Sequence, residues 1–457
     1  MMRLSAIALW TRGQLLGNDL EVGGVTLDSR TVQAGNLFVA IAGERVDGHD
    51  FLPAAAAHGA GGALVSRRVD SPLPQVLVSD TMLALGDLAS AVRAQRDVRV
   101  VGITGSNGKT TTKTLVAAIL GRHGRTHVSA GNHNNELGLP LSVLAMPADT
   151  QYAVFEMGAG KPGDIAYLAG IARPEVALVT LVAPAHLERM GSVEGVASTK
   201  GALYEALPRD GVAVINADDC FAAFFTGLAA GRQVLRFGLE QAAEIGARDI
   251  HSTLEGSCFV LLTPQGEAEL RLPLPGRHNV MNALAAAAVA TALQVPLPTI
   301  VAGLESVQGV PGRLQRQPAS GGWALIDDSY NANPGSMAAA IDTLLLAPGE
   351  HWLVLGDMGE LGAEARALHA ALGRQARERG IGRLFATGPL GVETVRAFGA
   401  GGEHYVDQAS LLAALRPQLH AGVTCLVKGS RAAGMERVVE ALREGEGTAT
   451  GGDAHAA

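Results

Sequence analysis

The run Val100-Val101-Gly102-Ile103-Thr104-Gly105-Ser106-Asn107-Gly108-Lys109-Thr110-Thr111 restricts the fold more than any other part of the chain. Its apolar start predicts a strand over Arg99 to Ile103, its glycines a turn, and the residues Lys109 to Leu120 a helix. A strand that enters a helix through such a turn leaves free backbone N–H groups and the positive helix end converging on one point, which suits phosphate oxygens. Lys109 is placed to reach β and γ phosphates, and the Thr110 hydroxyl to ligate Mg²⁺. The usual spacing puts a glycine five residues before the glycine of the Gly-Lys pair. Here that position is Ile103, with Gly102 and Gly105 at other offsets, so the loop is a shortened variant. It points to ATP without separating kinase, ligase, motor or switch.

Around this loop, apolar strands alternate with helical patterns: Tyr152 to Phe155, Asp164 to Ile171, Val176 to Val182, Val193 to Leu207 and Gly211 to Ile215. Such alternation predicts βαβ units and a mainly parallel sheet. Residues 246 to 275 lose the helical period and read as an antiparallel excursion, followed by an Ala-rich helix from Asn279 to Leu293. Upstream, short strands (Asn36 to Ile41, Gly62 to Val65, Gln75 to Val78) and one helix (Pro53 to His58) suggest a small α/β module. After Pro311-Gly312 a further alternating block brings strands Trp323 to Ile326, His351 to Leu355, Arg383 to Ala386 and Thr424 to Val427. At 457 residues the chain has room for three domains. The expected division is 1–96, 97–311 and 312–445, with 446–457 a loose tail rich in Gly, Ala and Thr. The fold class is α/β: a small substrate module, a central phosphate-loop domain with a parallel sheet, and a Rossmann-like carboxy-terminal domain.

A formal charge of −8 and no basic run argue against nucleic-acid binding. Three scattered cysteines match neither a disulfide framework nor a zinc site. No apolar run approaches the roughly 20 residues that span a bilayer, so a soluble, cytoplasmic protein without membrane insertion is expected.

Ligands of parallel sheets sit beyond the carboxyl ends of the strands. Glu156 follows one such strand, where a carboxylate can hold Mg²⁺ or simply meet solvent. His186 follows another; histidine is a poor Mg²⁺ ligand, and a surface loop histidine is the plainer reading. Lys200 is out of place. It completes the apolar stripe Val193, Val196, Leu203 and Leu207 of one helix, so it must snorkel out, pair with a carboxylate or shed its charge. A neutral amine beside a cation site can take up CO₂, and the carbamate would offer anionic oxygen to a metal.

Taken together, these segments resemble the Mur ligases over nearly the whole chain. Thr104 to Thr111 is similar to their shortened phosphate loop (Thr104, Gly105, Ser106, Asn107, Gly108, Lys109, Thr110, Thr111). The segments containing Asp28-Ser29-Arg30 and Asp47-Gly48-His49 look like the UDP-sugar module, and imply substrate contacts from Ser29, Arg30, Asp47, Gly48 and His49. Gly131 to Gly138 resembles the loop that meets substrate and metal, through Asn134 and Asn135. By the same resemblance Glu156, His186 and a carbamylated Lys200 would join Thr110 in holding Mg²⁺, two ions in all. Asn279 and Asn282, three apart on one helix face, would meet the adenine, although Asn279 also fits a helix N-cap. Arg313 would reach over the phosphates, Asp327 or Asp328 would lie at the ribose, and Asn331 and Asn333 would meet substrate.

The segments Asp327 to Pro334, Leu355 to Gly362 and Lys428-Gly429-Ser430-Arg431 look like those of Mur ligases that add D-alanyl-D-alanine to UDP-N-acetylmuramoyl-tripeptide. The Asp-Asn-Pro-Arg signature of diamino-acid-adding ligases is absent. The segment Ala432 to Glu436 departs from the pattern. The resemblance implies an ATP-dependent ligase of peptidoglycan precursor synthesis, acting as a monomer through an acyl phosphate, with Lys109, Lys200, Glu156, His186 and Arg313 in the catalytic set. Hinges are expected near Arg96 to Arg99 and at Pro311-Gly312. The rival readings are a diamino-acid-adding or folylpolyglutamate synthase-like ligase and, outside that class, a nucleotide-dependent switch.

Overall fold

The computed structural model describes residues 1–43, 45–184, 187–317 and 320–444. His186 and the expected tail therefore lie outside the described residues.

Six parallel strands form the central sheet, in the order Gln233–Phe237, Val212–Asn216, Val176–Val179, Arg99–Thr104, Tyr152–Glu156 and Thr126–Val128. The strand of the phosphate loop lies inside this sheet, which is why Val100, Val101 and Ile103 are fully buried. One face is covered by helices Lys109–Gly121 and Arg277–Ala292 and by a three-stranded antiparallel sheet over residues 246–272. Ala283, Ala285, Ala286, Ala287 and Ala288 are all buried, and side chains this small let the second helix lie close to the first. The other face carries helices Asp164–Ala172 and Val193–Glu205.

The amino-terminal block has a five-stranded sheet between residues 14 and 77, parallel but for Gln14–Leu16. The carboxy-terminal block has a six-stranded sheet between residues 315 and 428, parallel but for Gln315–Gln317 at its edge.

Three local expectations change. Residues Leu4–Trp10, for which no element was expected, form a helix with Leu4 and Ile7 buried. Helix Thr81–Ala94, capped by the Asp80 carboxylate on the N–H groups of Met82 and Leu83, was not expected at all; Gly86 and several alanines blur its apolar stripe. The strand expected over Val176 to Val182 ends at Val179. Beyond it the chain leaves the sheet to wrap the phosphate loop, with the Leu181 carbonyl accepting from Ser106 N–H at 2.8 Å. Among the described residues no helix is long and apolar enough to cross a membrane.

Candidate active site

The phosphate loop is held from beneath by the segment after the third of these strands. Thr180 Oγ1 donates to the Asn107 carbonyl at 2.6 Å, and Ser106 Oγ donates to the Ala183 carbonyl at 3.0 Å. These close approaches explain the glycines. A Cβ on Gly105 (φ +146°) would lie 1.8 Å from Thr180 Oγ1, and one on Gly108 (φ +79°) 2.4 Å from Asn282 Oδ1. Thr104 is fully buried in the strand and does not face the cavity, whereas Thr111 does.

Above the loop opens a cavity of about 1030 Å³, lined by both the central and the carboxy-terminal blocks. Lys109 arches back so that Nζ donates to the Gly105 carbonyl at 2.8 Å. Burial depresses its pKa, Glu156 opposes that and Arg313 adds to it. Thr110 Oγ1 donates to Glu156 Oε2 at 2.9 Å and accepts from Arg313 Nη2 at 3.0 Å. Asn134 Nδ2 donates to Glu156 Oε1 at 2.8 Å. Glu156 is 2 % exposed. Burial works to raise its pKa, but Lys109, Lys113, Asn134 and Thr110 together hold it below the ordinary carboxylate value. A carboxylate kept ionised beside a hydroxyl oxygen suits a hard divalent cation.

Lys200 lines the same cavity, is 2 % exposed and has no hydrogen-bond partner among the described residues. Neither snorkelling nor pairing with a carboxylate occurs there. Burial, and then Lys109, push its pKa well below the usual lysine value, so of the three fates open to it, loss of charge is the one the geometry favours. Among the described residues no group of three or more His, Cys, Asp and Glu could hold a metal. Beside the phosphate loop, Glu156 and Thr110 present oxygen donors.

Asn279 and Asn282 face the cavity but are already engaged. Asn279 Nδ2 donates to the Pro275 carbonyl at 2.8 Å, Asn282 Nδ2 to Asn279 Oδ1 at 3.1 Å, and Thr112 Oγ1 to Asn282 Oδ1 at 3.3 Å. This chain ties helix Arg277–Ala292 to the phosphate-loop helix. Gly276, not Asn279, is the N-cap. Each amide keeps one N–H and spare lone pairs for a ligand.

In the carboxy-terminal block the paired acids separate. Asp327 Oδ1 accepts from Ser329 N–H and Oγ at 3.0 and 2.6 Å and does not line the cavity. Asp328 does, paired with the buried Lys428 at 2.6 Å. Asn331 Oδ1 accepts from Ala332 N–H, and Asn333 caps helix Pro334–Leu344. Asn333 also exchanges two hydrogen bonds with Asn107 of the phosphate loop, at 2.7 and 3.2 Å.

The amino-terminal candidates lie apart from this cavity. His49 is 2 % exposed with both nitrogens taken: Nδ1 is 2.6 Å from Asp47 Oδ1, and Nε2 accepts from Ser66 N–H at 2.9 Å. Both nitrogens are therefore engaged within the amino-terminal block. A Cβ on Gly48 would lie 2.6 Å from the Ile41 nitrogen, so Gly48 serves close packing. Asp47 is also engaged by Arg67, and Arg30 by Asp28. Ser29 is buried, whereas Asn135, in the central block, lines the cavity and accepts from Gly138 N–H.

Sequence reasoning passed over Lys113, His278 and Lys428 as functional residues. Lys113 carried a signal, standing four residues after Lys109 on one helix. Lys428 stood in one of the segments that carry the resemblance but was given no role there, and His278 carried no signal; the two meet the cavity from blocks 150 residues apart in sequence.

Three family models match the chain: Mur ligase family, catalytic domain (residues 21–93), Mur ligase middle domain (103–290), and Mur ligase, glutamate ligase domain (312–431). The chain is 45 % identical to the UDP-N-acetylmuramoyl-tripeptide–D-alanyl-D-alanine ligase of Escherichia coli K12, over 96 % of this chain and 98 % of that one. A crystal structure of MurF from Acinetobacter baumannii superposes with a TM-score of 0.92 at 36 % identity, covering 96 % and 98 % of the two chains. MurF from Thermotoga maritima in complex with ADP superposes at 0.82, with 29 % identity and coverage of 92 % and 97 %. With all three models matched in order and relatives this similar aligned almost end to end, the chain belongs to the Mur ligase family.

Proposed function

We propose that this chain joins D-alanyl-D-alanine to the terminal carboxylate of UDP-N-acetylmuramoyl-tripeptide at the expense of ATP, in peptidoglycan precursor synthesis. The observation that carries the reading is the meeting at one cavity of Lys109, the Thr110–Glu156 pair and Arg313 from another block. That is the set needed to transfer a phosphoryl group under control of domain closure.

A carboxylate does not condense with an amine at neutral pH, because oxide would have to leave. The tripeptide carboxylate oxygen attacks the γ-phosphorus of ATP, the bond to the β-bridging oxygen breaks, and ADP and an acyl phosphate form. The D-alanyl-D-alanine amine then adds to the acyl carbon. The tetrahedral intermediate expels phosphate, and the amine gives up its proton. Lys109 and Arg313 neutralise charge on the transferring group, and the surrounding backbone N–H groups orient it. Glu156 and Thr110 would hold Mg²⁺, with His186 and the Lys200 carbamate as further ligands; the cation supplies charge neutralisation at the phosphates. The carbamate forms when the neutral Lys200 amine adds to CO₂ and releases one proton. High-resolution density showing a bare Lys200 amine in a fully active, nucleotide-bound crystal would remove it from the scheme.

The adenine is assigned to Asn279 and Asn282 and the ribose to Asp328 in place of Asp327, because Asp328 is the acid that faces the cavity. We place the division of the chain at 96/97 and 311/312. We also place the protein in the cytoplasm as a monomer serving cell-wall growth, cell shape and division. Exposed free Cys220 and Cys258 suit a reducing compartment.

The test is phosphate release from ATP in the presence of UDP-N-acetylmuramoyl-tripeptide. Release should require D-alanyl-D-alanine and be lost in Lys109→Ala. Release that ignores the dipeptide, or that needs a diamino acid in its place, overturns the assignment.

A further inference from the structure

Lys113 takes part in none of the steps above, yet it is one of the most deeply buried charged residues of the chain, at 4 % exposure. It stands one helical turn beyond Lys109 in helix Lys109–Gly121. Its Nζ donates to the carbonyls of Ser129 and Gly131, at 3.0 and 2.6 Å, and lies 3.4 Å from Glu156 Oε2. Three acceptors match the three donors of an ammonium. Lys113 thus holds the start of the loop that carries Asn134 and neutralises Glu156 at Oε2, the oxygen that also accepts from Thr110.

The charges around Glu156 do not balance. One carboxylate faces Lys109 and Lys113, and Arg313 reaches Thr110, the hydroxyl bonded to that carboxylate. Immediately around Glu156 cationic groups outnumber anionic ones before a nucleotide arrives, while Asp328 of the carboxy-terminal block is the carboxylate that faces Arg313. We infer that Lys113 is a positioning residue that acts through Glu156 as a resident counter-ion, competing with a divalent cation and so making cation entry depend on the nucleotide. This rests on the reading of Glu156 as a cation ligand. The triphosphate reverses the sign of the local charge, and only then does a second positive charge beside Glu156 become favourable. If Lys113 were only a brace for residues 129–131, its removal would loosen Glu156 and weaken cation binding. As a competing charge, its removal strengthens cation binding in the nucleotide-free protein. The two roles have opposite signs.

The experiment is Mn²⁺ binding to the full chain, followed by electron paramagnetic resonance. Without nucleotide, Lys113→Met should bind Mn²⁺ on the order of tenfold more tightly than wild type, as expected for loss of one charge at this range in a partly hydrated site. Lys113→Gln, which retains an N–H for one carbonyl, should shift in the same direction. With ADP saturating, the gap should close to within about threefold. Equal or weaker nucleotide-free binding in both variants overturns the inference while leaving Glu156 as a ligand. If wild type shows no protein-bound Mn²⁺ even with ADP, the reading of Glu156 fails and the inference with it. Should Lys113→Met not fold, Lys113→Gln decides alone.

Discussion

Where the amino-terminal block meets the central one, helix Thr81–Ala94 packs its apolar side against Leu137, Leu141 and Leu144. Arg93 locks this seam. Its guanidinium, 8 % exposed, donates to the carbonyls of Ala172, Arg96 and Val98 at 2.9, 3.0 and 3.2 Å. The seam between the central and carboxy-terminal blocks is the reverse: it surrounds the large cavity and is joined by side-chain polar contacts, Asn107 to Asn333, Arg313 to Thr110 and Arg316 to Glu255. A dry seam capped by a buried cation resists opening, because its apolar surface and carbonyls have nowhere better to go. A wet seam whose bonds can be exchanged for water opens at little cost. One seam is thus apolar and locked by a buried guanidinium, the other polar and built around a cavity, and on the function proposed above the second is the seam expected to close over the chemistry.

Arg313→Ala gives the largest expected effect, at the wet seam. It removes a guanidinium that reaches Thr110 of the phosphate loop and should lower kcat by about 10²–10³-fold, with an unchanged melting temperature. Steady-state kinetics beside a thermal melt check both halves. A comparable loss of stability would mean the wet seam is structural after all.

Arg93→Ala at the dry seam should do the converse. Unfolding in urea should show a loss of about 2–3 kcal/mol, from carbonyls left without donors and a seam left unfilled. Turnover per folded molecule should stay near wild type. A large fall in kcat with normal stability would mean that this seam also moves during the cycle.

The Asn107–Asn333 exchange sharpens the contrast. Asn107→Ala, and Asn333→Ser, which keeps an N-cap oxygen, should each reduce kcat by about tenfold, and the double variant by little more than either, as a coupling energy of about 1 kcal/mol predicts. Strict additivity would show that the two amides act separately. Small-angle scattering with nucleotide and UDP-peptide should show compaction in wild type and less of it in the double variant.

The smallest effect concerns His278, which faces Lys428 across the wet seam. Burial, followed by Lys428, lowers its pKa to about 4 from an ordinary 6.5. As pH falls from about 6.5 towards about 4, the unfolded chain binds a proton that the folded one refuses, so stability declines over that window. His278→Asn should flatten the slope there by up to about one proton, measured by urea titration across the range. No flattening would mean that the seam already opens and lets His278 titrate freely.

The antiparallel excursion over 246–272 was legible in the residues because alternation with period two survives any tertiary setting. Helix Thr81–Ala94 was not, since its stripe is drawn in alanine and glycine, and its apolar side is defined by the helices it meets. The same split runs through the site. Gly105 and Gly108 announced a phosphate loop because backbone conformation is decided within a few residues. That both nitrogens of His49 are engaged, by Asp47 two residues away and by Ser66 just beyond the strand Gly62–Val65, no local pattern announced.

By itself, then, the chain of residues determined the phosphate loop, the alternation that builds parallel sheets, the anomaly of Lys200 and the family. Tertiary structure alone decided that Asp328 and not Asp327 faces the cavity, that Arg313 meets Thr110 across 203 positions, and that Lys113 shares Glu156 with Lys109. The physical reason is range. Backbone geometry and periodicity are written within about ten neighbours, whereas the protonation state, partner and purpose of a buried charge depend on which distant groups the fold brings within a few ångströms of it.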